Sequence, residues 1–85
     1  MTRSDEVYDL RGLRCPLPVL KTRKKMQALG AGQRLWVETT DPLAVLDIPH
    51  FCEESGHWLI ETISLPAGNG HRFLIEKGGK ARDVS

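Results

Sequence analysis

The segment Arg14-Cys15-Pro16-Leu17-Pro18 holds the chain's strongest candidate for chemistry. A cysteine is nucleophilic as its thiolate, and this one stands between a short strand-like run, Val7 to Leu10, and a helical pattern that opens at Pro16 and fades near Gly30. The amino end of a helix presents unpaired N–H groups and the positive end of the helix dipole, and both favour an anion. The Cys15 thiolate is therefore expected to be more populated than that of a free cysteine. Arg11 and Arg14 are expected to add positive potential. The competing reading, a small buried core residue, fits free cysteines in general but not one flanked by arginine and proline.

The remaining reactive side chains point less clearly to chemistry. Cys52 follows Phe51, three residues after Pro49 and on one stripe with Ile48, so core packing is expected. As a resolving thiol it would need its Cα within about 7 Å of that of Cys15. A position late in a helix that starts from the Cys15 edge argues against that approach. His50, His57 and His71 lack the spacing of metal ligands, and no metal is expected. Asp41 before Pro42, and Asp47 before Ile48, read as helix caps. If Asp41 lies close to Cys15, its carboxylate either opposes thiolate formation or helps to position a partner.

The elements that must place these residues follow from the hydrophobic periodicity. Strand one spans Val7 to Leu10, and helix one runs from Pro16 to about Leu29, with Pro16 and Pro18 marking its start and Gly30 its end. Strand two covers Arg34 to Thr40. Helix two is expected as a first turn over Leu43 to Leu46, broken by Pro49, then a restart capped by Asp47 and closed by Gly56. Two further strands, Trp58 to Leu65 and His71 to Lys77, are joined by a Pro-Ala-Gly-Asn-Gly loop. With right-handed crossovers, this order predicts a two-layer α/β sandwich, βαβαββ, with both helices on one face of a four-stranded mixed sheet. The turns carrying Cys15 and Asp41 then share one edge, where chemistry is expected.

On helix one, Val19, Thr22, Met26 and Leu29 form an inward stripe, whereas Leu17, Lys21, Lys24 and Lys25 face away. An exposed Leu17 beside the thiol, continued by lysines, could dock a partner protein; the same lysines also solvate an outer face and complement the helix dipole. The 85 residues make one domain, 1–85, with an ordered core over about 6–78 and a tail over 79–85. A net charge of +1 gives no general affinity for nucleic acid or membrane. The start lacks an apolar signal segment, so a cytoplasmic protein with free thiols is expected, and a monomer.

The run from Leu10 to Pro18 resembles the Cys-Pro-x-Pro signature of the TusA (SirA-like) sulfur-carrier family, and Thr40-Asp41-Pro42, Asp47 to Cys52 and Phe73 to Gly78 extend the likeness. The resemblance implies a βαβαββ fold and a cysteine, here Cys15, that carries sulfane sulfur as a persulfide with no bound cofactor. A cysteine desulfurase or rhodanese-like donor would supply the sulfur. A downstream acceptor protein would take it, as in tRNA thiolation, molybdenum-cofactor maturation or sulfur oxidation. Arg14, Leu17, Lys21, Lys24 and Asp41 are the candidate partner-binding residues. The alternative is a nucleic-acid-binding or regulatory module that uses the basic strip of helix one. That reading leaves Cys15 without a role.

Overall fold

The computed structural model describes residues 6–78. Its elements run β1 (Glu6–Asp9), α1 (Leu17–Gln27), β2 (Arg34–Thr39), α2 (Ala44–Ser55), β3 (Trp58–Ser64) and β4 (His71–Glu76), with a short 3-10 turn at Pro66–Gly68. They form a two-layer sandwich. The sheet order is β1-β2-β4-β3, with β1 parallel to β2 and the other pairs antiparallel. This is the mixed sheet expected from the sequence.

Alternation along the strands decides which face meets the helices. Leu35 and Val37 of β2 pair with Ile75 and Phe73 of β4, and all four are wholly buried. Thr22 and Met26 of α1, and Ile48, Phe51 and Cys52 of α2, close over them. Removing each large apolar side chain from water contributes about 1.5–3 kcal/mol, so this layer holds both helices against the sheet. Val19 and Leu29 pack at its margin, which completes the inward stripe read from helix one.

Several local expectations need correction. α1 begins at Leu17, with Pro16 in the capping position and Pro18 in the first turn. α2 is one continuous helix from Ala44 through Pro49, without the predicted break and restart. Pro49 removes the N–H that would bond to the carbonyl of Val45, and the helix runs on past it with Val45 on its exposed side. Asp47 consequently does not cap: its own N–H already bonds to the Leu43 carbonyl at 2.9 Å. Gly56 ends α2 at φ +77°, a left-handed conformation that suits glycine. The end of α1 is held from outside, where the Lys77 ammonium donates to the carbonyls of Met26 at 2.7 Å and Leu29 at 3.1 Å. The predicted tail, 79–85, lies outside the described residues.

Candidate functional site

Parallel pairing of β1 and β2 brings the β1–α1 and β2–α2 loops to one edge of the sheet. Side chains of the second loop fix the backbone of the first. Thr40 Oγ1 accepts the Gly12 N–H at 2.9 Å, and Asp41 Oδ2 accepts the Cys15 N–H at 2.7 Å. The other oxygen of Asp41 accepts the Leu43 N–H at 3.1 Å, so one carboxylate caps the approach to α2 and clamps the cysteine loop. Asp41 is only 8% exposed. That burial, with both oxygens committed, makes it a positioning group for the two loops.

Cys15 is exposed, and its peptide bond to Pro16 is cis. Its Sγ donates to Asp47 Oδ2 at 3.3 Å. The thiol is pushed above the ordinary cysteine value, first by this hydrogen bond, then by desolvation, and further by the negative charges of Asp47 and Asp41. This reverses the expectation of a populated thiolate.

The helix start accounts for part of the reversal. Pro16 and Pro18 carry no N–H, and the Leu17 N–H is taken by the Arg14 carbonyl at 2.8 Å, so few of the donors that make a helix end attractive to anions remain. Nor do the arginines compensate. Arg11 turns to Asp9, at 2.8 Å, and holds that carboxyl down at about 2. Arg14 lines a separate depression with Gly12, Thr40 and Leu43.

On its other side Cys15 opens onto a cleft of about 180 Å³ between the helices, lined by Val19 and Arg23 from α1 and by Asp47, His50, Phe51 and Glu54 from α2. None of these was singled out as a site residue from the sequence. Asp47 carried the only usable signal, because the start of α2 shares the Cys15 edge. Leu17, Leu43 and Leu46 stand exposed at the two helix starts, and Leu20 one turn further along α1. Lys21 and Lys24 are exposed beyond them, whereas Lys25 folds over the Tyr8 ring, 5.4 Å from its centroid.

Cys52 is a core residue, 2% exposed, and burial pushes its thiol up to about 12. Both cysteines are free. Among the described residues no helix is long and apolar enough to cross a membrane.

The fold has a close counterpart in the crystal structure of the SirA-like protein from Desulfitobacterium hafniense. The two superpose with a TM-score of 0.75 at 23% identity, covering 86% of this chain and 97% of that one. In sequence the chain is 40% identical over 77 residues to the Sulfur carrier protein TusA of Allochromatium vinosum, an alignment spanning 91% of this chain and 99% of that protein. The profile of the family described as Sulfurtransferase TusA matches residues 6–77. The chain therefore belongs to the TusA family of sulfur carriers.

Proposed function

We propose that this chain carries sulfane sulfur as a persulfide on Cys15, taking it from a cysteine desulfurase or rhodanese-like donor and passing it to an acceptor protein in the cytoplasm. The observation that carries this reading is the exposure of Cys15 on a loop pinned by Thr40 and Asp41, against the burial of the chain's other thiol.

In loading, the Cys15 thiolate attacks the outer sulfur of the donor's R–S–SH. The new S–S bond forms on Cys15 as the old one breaks, and the donor sulfur leaves as a thiolate. Unloading is the same exchange in reverse direction: an acceptor thiolate attacks the outer sulfur and the Cys15 thiolate departs. One sulfane sulfur moves, and no electrons are gained or lost overall. Asp41 keeps the loop in place through the Cys15 N–H. Leu17 and Leu20, continued by Lys21 and Lys24, form the surface that meets the partners, with Arg14 on the opposite flank. The nucleic-acid reading of the same lysines gives no role to Cys15 or to the residues that clamp it.

The test is incubation with free cysteine and a desulfurase, followed by intact mass. Wild type and Cys52→Ser should gain a reductant-labile adduct of one sulfur, and Cys15→Ser none. Labelling of Cys15→Ser, or no labelling of wild type by any donor, would end the proposal. Leu17→Glu and Lys21→Glu should slow transfer without altering thermal unfolding; unchanged rates would remove the docking surface.

A further inference from the structure

We infer that Asp47 holds the Cys15 sulfur as a thiol in the free protein, and that a protein partner releases it by setting a cationic side chain against the Asp47 carboxylate. The partner's identity as sulfur donor or acceptor rests on the sulfur-carrier reading; the restraint itself does not.

The contact between the two groups suits the protonated sulfur. A carboxylate only accepts hydrogen bonds, so the 3.3 Å contact from Cys15 Sγ to Asp47 Oδ2 exists for the S–H form. Loss of that proton would set two negative groups side by side at that separation. The surrounding charges do not relieve this. In the β2–α2 loop Asp41 adds a second carboxylate behind the Cys15 amide. On α2, His50 faces Glu54 at 3.8 Å and not Asp47. On α1 the cleft's arginine, Arg23, lies over the Phe51 ring, 5.9 Å from its centroid. Among the described residues no cation pairs with Asp47.

The cleft sets two carboxylates, Asp47 and Glu54, against one arginine, Arg23, which lies over the Phe51 ring, so Asp47 beside the thiol lacks a paired neutralising charge. An arginine or lysine beside the reacting cysteine of a partner would supply it. Asp47 is on this view a positioning residue: it keeps the sulfur protonated, and so poorly reactive toward stray oxidants, until the complex forms.

Two assays that involve no sulfane sulfur test this separately from sulfur carriage. Alkylation of Cys15 by iodoacetamide, followed on its peptide by mass, should show a pH profile displaced downward in Asp47→Asn, with a rate near pH 7 on the order of threefold to tenfold higher. Asp47→Glu should keep the wild-type profile. Second, on unaltered protein, a trimethylammonium methanethiosulfonate should outpace a sulfonate one several-fold, each normalised to its rate with 2-mercaptoethanol. Added salt and Asp47→Asn should both shrink that ratio. A folded Asp47→Asn protein with an unmoved profile would overturn the restraint. Equal normalised rates for the two reagents on wild type would overturn the cationic partner. A chain that passes both tests yet never accepts sulfur would fail the proposed function alone.

Discussion

Ionisation is disfavoured at both Cys15 and Cys52, but by different physics. Cys52 is enclosed by the apolar layer between sheet and helices, and its thiolate is disfavoured because burial strips away water. Cys15 is open to solvent and is restrained chiefly by a neighbouring carboxylate. A restraint made of burial is lifted only by unfolding. One made of charge is lifted by a countercharge brought from outside, so only the edge thiol can be switched on by a partner.

The comparison weakens most if the clamp on the Cys15 loop is removed. Asp41→Ala deletes an acceptor for two backbone N–H groups, one on each loop, and should lower stability by about 2 kcal/mol, read as a fall in the urea midpoint. Cys15 amide exchange should accelerate more than exchange in β2. An unchanged midpoint would mean that the loop holds its shape without Asp41. The interior thiol offers the sharper contrast. Cys52→Ala leaves a small void and should cost about 1 kcal/mol, while the pH profile of Cys15 alkylation stays where it was. A displaced profile would show that the two regions are coupled through α2.

How much of this was legible depends on the range over which residues act. The strand–helix alternation, the parallel first pair and the shared edge for Cys15 and Asp41 follow from local patterns and chain-crossing rules, and they hold. The contact from Asp47 to Cys15 spans 32 residues and depends on α2 running unbroken through Pro49, which local rules predicted it would not do. With a break at Pro49, Asp47 reads as a cap; with a continuous helix its side chain is free to turn to the thiol. The missing anion site at the start of α1 was different, since the absence of N–H groups at Pro16 and Pro18 is written in the sequence. The dipole argument assigned a generic helix end where this one has few donors left.

The smallest effect lies at the interior end, where His57 and Cys52 line a common pocket of about 290 Å³. Burial, aided by the charge of Lys77, holds His57 below the ordinary histidine value of 6.5. Its Nδ1 accepts the Gly78 N–H at 3.1 Å, which requires that nitrogen to be unprotonated. The folded state therefore binds the proton less readily than the unfolded chain. The stability this contributes is complete above pH 6.5 and is lost as pH falls from there through the lowered folded-state value. The urea midpoint of wild type should drop between pH 7 and 5 by more than that of His57→Gln, whose neutral side chain does not titrate. Identical slopes would remove His57 as the cause. The two regions then answer pH from opposite sides: acid loosens the interior end by charging a group that must stay neutral, whereas alkali is what overcomes the carboxylate that keeps the edge sulfur protonated.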